Sequence, residues 1–185
     1  NDVGADLAAD ARFEVLQLQL GGAKLYNGVR TELTGDGASF DAAIAYYGRK
    51  SQCIDMNFVA NHYGKKTDCN MTADGVLQEG AFKLYRGTID FKNGVAGANG
   101  DEKEAVLRLS DDVVNQSIPL ILCSEEDVQG NHGASIGKLD EDLLFYMMSR
   151  GFSESDAIDM MAKAKIEGIC RRIEDEETVQ LVERY

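Results

Sequence analysis

Over residues 1–130 the chain is cut into runs too short for a long helix. Each run takes about four to eight residues and ends in a cluster of Gly, Asn or Asp, which is the syntax of strands and turns. Phe13-Glu14-Val15-Leu16-Gln17-Leu18-Gln19-Leu20 alternates apolar and polar residues in its second half. Val29-Arg30-Thr31-Glu32-Leu33 and Thr88-Ile89-Asp90-Phe91 do the same. Fifteen of the 19 glycines and eight of the nine asparagines fall in this stretch, and the chain has one proline, Pro119. The turns are therefore made by residues that tolerate positive φ rather than by proline.

A faint internal repeat narrows the architecture. Lys24-Leu25-Tyr26-Asn27-Gly28 resembles Lys83-Leu84-Tyr85-Arg86-Gly87, 59 positions on. Glycines recur every seven residues at 21, 28 and 35, and again at 80, 87 and 94. Repeated strand–turn units without helices suggest a solenoid such as a parallel β-helix, in which each coil buries its apolar face on the next. A sandwich or jelly roll with a chance repeat is the other reading of the same pattern.

Residues 131–185 have only four glycines but four of the six methionines. Asp140 can cap a helix through Leu143-Leu144-Phe145-Tyr146-Met147-Met148, with Gly151 in the place of a C′ glycine. Ser153-Glu154-Ser155-Asp156 restarts it, with Ser153 as N-cap and acidic residues in the first turn. Ala157, Met160, Met161 and Ala164 are expected to form one apolar face, extended by Ile158, Ile169 and Ile173. Arg171 and Arg172 fall near the helix end, where cations suit the macrodipole. A last short helix is expected from Asp175 toward Tyr185. The expected organisation is a β body over 1–136 and a small helical domain over 137–185.

The net charge of −13 excludes a nucleic-acid binder that works through a general basic surface, and it argues against anchoring on anionic lipid. No apolar run reaches the roughly 18 to 20 residues that span a bilayer. The chain starts Asn1-Asp2-Val3-Gly4, so a removed start or a fragment of a longer protein is expected. Cys53, Cys69, Cys123 and Cys170 are scattered, with no C-x-x-C; a structural zinc site is not expected, and the pattern suits a reducing cytosol. Most of these thiols are expected to be buried and inert.

Candidate chemistry is sparse. His62, in Asn61-His62-Tyr63-Gly64, reads as a polar turn histidine after an apolar strand. His132 sits among small residues in Gly130-Asn131-His132-Gly133-Ala134-Ser135-Ile136-Gly137, at the junction of the two regions. It is either a ligand for iron or zinc or a junction-packing histidine. Neither a phosphate loop nor a dinucleotide fingerprint is present. Asp111-Asp112 and Glu125-Glu126-Asp127 match no calcium loop and read as solvated turn carboxylates. The pairs Met147-Met148 and Met160-Met161 suit a core, and methionine also suits a docking surface.

The junction carries a family resemblance. The stretch from Asp127 to Tyr146 contains His132-Gly133-Ala134, Gly137, Leu139-Asp140 and Leu144-Phe145-Tyr146, and Ser149-Arg150-Gly151 follows. It resembles the C-terminal signature of the SufB/SufD family of iron–sulfur cluster assembly scaffolds. Upstream, Ser39-Phe40, Asp55, His62 with Thr67, Phe82 with Gly87 and Ile89, and Leu109-Ser110-Asp111 resemble the family's strand positions. The resemblance implies a right-handed parallel β-helix followed by a C-terminal helical domain, here the C-terminal part of a longer cytoplasmic scaffold.

It also implies a non-enzymatic role in the SUF system. Two β-helices would pair, as a homodimer or with a SufB-like paralogue. The helical domain would hold a SufC-like ABC ATPase, with Phe145, Tyr146, Met160 and Met161 as docking residues. This chain would bind no nucleotide, sulfur would arrive indirectly from a cysteine desulfurase, and a transient Fe–S cluster would form at the subunit interface. His132 matches the histidine of SufD-type chains that is implicated as a cluster ligand. SufB-type chains have a glutamate there and an essential cysteine some thirty residues earlier; here that stretch, Asp101-Glu102-Lys103-Glu104, has no cysteine. SufD-type chains often carry cysteine where this one has Gly130. Cys123 is the nearest thiol and the second metal-ligand candidate, provided it turns inward. Two rivals share the solenoid. A polysaccharide lyase or hydrolase would need carboxylates and a basic residue gathered in an open groove. A purely structural interaction module would leave His132 inert.

Overall fold

The computed structural model describes residues 1–183, the side chain of Glu183 excepted. The β body contains β1 (Asp2–Leu7), β2 (Arg12–Gln19), β3 (Lys24–Leu33), β4 (Ser39–Gly48) and β5 (Cys53–His62). It continues through β6 (Asp68–Leu77), β7 (Phe82–Phe91), β8 (Ala98–Arg108), β9 (Val114–Cys123) and β10 (Val128–Lys138). Odd-numbered strands form one sheet and even-numbered strands the other, each in chain order and each parallel throughout. This is a parallel β-helix of about five coils. Three helices follow: α1 (Glu141–Ser149), α2 (Glu154–Cys170) and α3 (Glu176–Glu183). The expected continuation of the last helix to Tyr185 lies outside the described residues.

Register explains why the sequence repeat misleads in detail. Leu25, Ile54 and Lys83 share one column, because β3, β5 and β7 are offset by 29 residues each. The Lys-Leu-Tyr repeat spacing of 59 is thus one residue longer than two coils. A slip of one residue sends a side chain to the other face of a strand. Tyr26 is accordingly 57% exposed, whereas Tyr85 is 1% exposed and faces the lumen. The repeat reports the solenoid, but its matching letters point in opposite directions.

The glycines do two jobs. At one corner, Asp10, Gly37, Lys66 and Gly97 occupy equivalent places with φ of +57°, +70°, +54° and +77°. Each amide donates to a carbonyl of the next coil, those of Asp36, Lys65, Ala96 and Asp127. Only two of the four are glycine. The stricter demand lies two residues earlier, at Gly35 and Gly64. A Cβ on Gly64 would sit 2.2 Å from the Gly35 carbonyl oxygen, and one on Gly35 would sit 1.9 Å from the Ala9 amide nitrogen. Glycine is required there because backbone stacks on backbone.

The lumen is filled by apolar side chains from both sheets, among them Phe40, Ile44, Ile54, Met56, Phe58 and Phe91. A second cluster forms on the outer face of the even sheet. There Ala43, Ala45, Tyr47, Val76 and Leu109 pack against Ala162, Ile166 and Ile169 of α2. The buried side of α2 is rotated from the expected face: Ala157, Ala162, Ile166 and Ile169 are buried, Met161 is half-buried, and Met160 and Ala164 are exposed. Ala43 and Ala45 on the sheet and Ala157 and Ala162 on the helix let α2 approach closely, and Ile166 and Ile169 fill the contact beside Tyr47, Val76 and Leu109. Ion pairs fix the packing, with Lys165 3.0 Å from Asp74, and Arg172 2.5 Å from Glu14 and 2.6 Å from Asp41. The expected caps are present: Asp140 accepts from the Leu143 amide, Ser153 accepts from the Asp156 amide, and Gly151 has φ +98°.

Only Cys69 among the cysteines is buried; Cys53 and Cys170 are half-buried and Cys123 is exposed. Cys53 lies on the outer face of β5, Cys170 at the end of α2, and Cys123 on the last coil with no coil above it among the described residues, which is why these three are not interior.

Gly64→Ala should lower stability by about 3 kcal/mol or more, because the clash is with backbone that cannot rotate away. Denaturant unfolding checks this; an unchanged midpoint would mean that the corner relaxes freely.

Candidate functional site

Strand parity places an unexpected charged group inside the lumen. Lys83 on β7 and Glu102 and Glu104 on β8 alternate with outward residues and share direction with Tyr85, Gly100 and Val106. Lys83 and Glu104 form a buried ion pair. The Lys83 amine also donates to the Gln116 carbonyl at 3.2 Å and to the Ser117 hydroxyl at 3.0 Å. Glu104 accepts from the Tyr46 hydroxyl at 3.3 Å and from Ser117. The Lys83 amine lies 5.8 Å from the centres of the Tyr46 and Tyr85 rings. Burial pulls the Lys83 pKa down, and the Glu104 charge works against it. Desolvating both ions is costly, so the pair is retained only with this full set of partners.

Glu102 differs from Glu104. It is fully buried, and among the described residues neither carboxylate oxygen has a hydrogen-bond partner. Burial raises its pKa to about 7; Glu104 adds to the rise, and the Tyr85 hydroxyl, outside hydrogen-bonding geometry, offsets a little.

His132 stands directly above Glu102. The two are register partners on β10 and β8, and Nδ1 of His132 lies 3.7 Å from Oε2 of Glu102. The His132 side chain is 27% exposed, because among the described residues no further strand covers β10. It therefore sits on the rim of the lumen at its last coil. Gly130, two residues earlier, also faces inward. A Cβ there would meet Ile121 and Phe91 at 3.1 Å, so a larger residue would need these side chains to give by a few tenths of an ångström.

The other sequence candidates are dispersed. Cys123 ends β9, and its thiol donates to the Glu125 carbonyl at 3.0 Å. Among the described residues, no group of three or more His, Cys, Asp or Glu side chains is gathered to hold a metal ion. Asp111 and Asp112 lie on an exposed turn, and Glu125 accepts from the Gly94 amide at 2.9 Å, as turn carboxylates do. His62 departs from expectation. It is a buried strand residue, with Nδ1 2.8 Å from the Thr67 hydroxyl and its ring 4.7 Å from that of Phe91. Its place at the inward end of β5, rather than in the following turn, explains this; burial lowers its pKa to about 4. The docking candidates lie on the helices: Phe145 is 74% and Tyr146 53% exposed, Met160 is exposed and Met161 half-buried.

Sequence reasoning missed Lys83, Glu102 and Glu104. Asp101-Glu102-Lys103-Glu104 looks like a solvated charge run. The signal was parity, since Glu102 and Glu104 fall on the same face as Gly100 and Val106.

Strand topology and the motif-bearing β10–α1 junction agree with a family comparison. The model of the SUF system FeS cluster assembly, SufBD core domain, matches residues 1–165. The chain belongs to the SufBD core family. The iron–sulfur cluster assembly protein SufD of Bacillus subtilis is 32% identical over 127 residues, covering 69% of this chain and 29% of that protein. A SufBD family iron–sulfur cluster assembly protein of Mycobacterium leprae is 26% identical over 80% of this chain and 17% of its own length. One of Staphylococcus saprophyticus is 26% identical over 80% of this chain and 32% of its own length. The chain thus spans under a third of the length of these relatives. Among the described residues, no helix is long and apolar enough to cross a membrane. The SufBD assignment, together with a lysine–carboxylate group that faces the lumen rather than an outer groove, leaves the carbohydrate-active reading without support.

Lys83→Met should cost about 3 to 5 kcal/mol by stranding Glu104, while Lys83→Met with Glu104→Leu should recover most of it. Denaturant unfolding of the two variants decides this; equal losses would show that the pair itself is stabilising. For His62 the folded pKa lies below the unfolded value, so its contribution is complete above pH 6.5 and lost as pH falls to about 4. The loss should reach about 3 kcal/mol and be absent in His62→Phe. Parallel pH profiles for the two proteins would refute it.

Proposed function

We propose that this SufBD-family chain is a cytoplasmic, non-enzymatic scaffold segment on which a transient Fe–S cluster is built at a subunit interface. The observation that carries this reading is His132 on the rim of an uncovered last coil. A buried imidazole could not reach cargo shared with another chain, whereas one on the rim can. The neutral ring nitrogen is a ligand suited to iron. Cys123 is the second candidate ligand, and its exposure leaves it able to turn.

Pairing is supported by the edges of the last coil. Among the described residues β9 and β10 each have a strand neighbour on one side only, and Ile118, Leu120 and Leu122 are exposed along β9. Unpaired strand edges with apolar side chains invite a second β-body. That partner is a second copy or a SufB-like paralogue, and sulfur reaches the pair indirectly from a cysteine desulfurase. In this reading the SufC-like ATPase docks on α1 and α2, which is supported by the apolar surface of Phe145, Tyr146 and Met160, with Met161 half-buried beneath it. Nucleotide stays on that ATPase. Domain roles follow, with 1–136 as core and 137–185 for docking.

Co-expression of the full-length protein with its SufC-like ATPase should give a complex on size exclusion. Phe145→Glu with Tyr146→Ala should abolish it without loss of fold. No complex between well-folded wild-type partners would sink the docking assignment. His132→Ala should reduce cluster loading of the assembled complex, and equal loading would remove its ligand role.

A further inference from the structure

Glu102 is a buried acid with nothing bonded to it, and such a group calls for an explanation. The nearby cation does not supply one, because Lys83 is engaged by Glu104. Space has nevertheless been kept for the Glu102 head group: a Cβ on Gly87 would lie 2.1 Å from its Oε1. The polar atom aimed at it from the coil above is Nδ1 of His132, at 3.7 Å from Oε2. That gap is too long for a hydrogen bond, yet a small rotation of either side chain closes it. The neighbours of His132 on its own face of β10 are Gly130 and Ala134, both small, and the imidazole is 27% exposed, so the ring has room to turn.

We propose that Glu102 is a positioning residue for His132: from one coil below, its carboxylate accepts a hydrogen bond from Nδ1–H, which leaves Nε2 facing outward. This rests on the reading of His132 as a ligand. An imidazole has one proton to place when neutral, and the hydrogen bond on one nitrogen decides which nitrogen is left to bind metal. Metal-binding histidines generally use a carboxylate or carbonyl for this purpose. Here the fold supplies it through register, since residues paired on neighbouring parallel strands point the same way. Glu102 thereby fixes both ring orientation and tautomer before any cargo arrives.

Histidine-selective 15N labelling of the full-length protein tests this at mildly alkaline pH. His132→Ala identifies the His132 signals by their loss, and His62 serves as an internal folding control. The expected wild-type tautomer carries its proton on Nδ1. Glu102→Met should shift His132 to the Nε2–H form that a free imidazole prefers, while Glu102→Gln, which keeps an acceptor oxygen, should retain Nδ1–H. Cluster loss from the assembled complex under a chelator should become roughly tenfold faster in Glu102→Met and change little in Glu102→Gln. A wild-type His132 protonated on Nε2 overturns the proposal even if Glu102→Met fails to fold, and so does a tautomer unmoved by Glu102→Met. Unchanged loading in His132→Ala instead overturns the ligand reading, which is a separate result.

Discussion

Parallel, in-register stacking of coils is the constraint on which everything else in this protein depends. Once β3, β5 and β7 are offset by 29 residues, every side chain inherits a column and a direction from the coil below. Columns that face inward must fill the lumen, and those that face outward meet water or α2. Corners must bring backbone onto backbone, which is why Gly35 and Gly64 tolerate no Cβ. The stack also has a last coil, and its uncovered edges are where side chains that belong to the lumen come into reach of solvent.

The polar lumen follows from the same geometry. A lysine and two glutamates enter a mainly apolar lumen, and one ion pair is fully satisfied while Glu102 is not. An apolar core would be easier to stabilise, so these groups are not explained by stability. The unsatisfied member lies beneath the rim histidine. The helices add a second layer: α2 is held on the outer face by Ala162, Ile166 and Ile169, by Lys165 and by Arg172 just beyond its end, leaving α1 free to expose its aromatic side chains.

Much of this was legible in residue order. Short alternating runs closed by Gly, Asn and Asp pointed to stacked strands, and Asp140, Gly151 and Ser153 marked helix ends where they occur. His132 was found because small residues surround it and the motif around it is long. Other features were hidden for physical reasons. The Lys-Leu-Tyr repeat carried no sign that Lys83 enters the lumen, because one residue of slip puts the two copies on opposite faces of their strands. His62 looked like a turn residue because its burial comes from Phe91, a full coil away. The apolar face of α2 was misjudged because the sheet beneath it, rather than helical periodicity, chooses which residues are covered.

The sequence by itself determined the local alphabet: strand, turn, cap and helix, the acidic surface, and the family to which the β10–α1 junction belongs. Those properties depend on neighbours a few residues apart. Tertiary structure alone decided what lies across a coil, some thirty residues away in the chain but adjacent in space. It put Glu102 under His132, bonded Lys83 to Glu104, and carried Cys123, in the column of His62 and Phe91, to the exposed end of the last coil. The reason is register, a relation between coils that no local stretch of sequence contains.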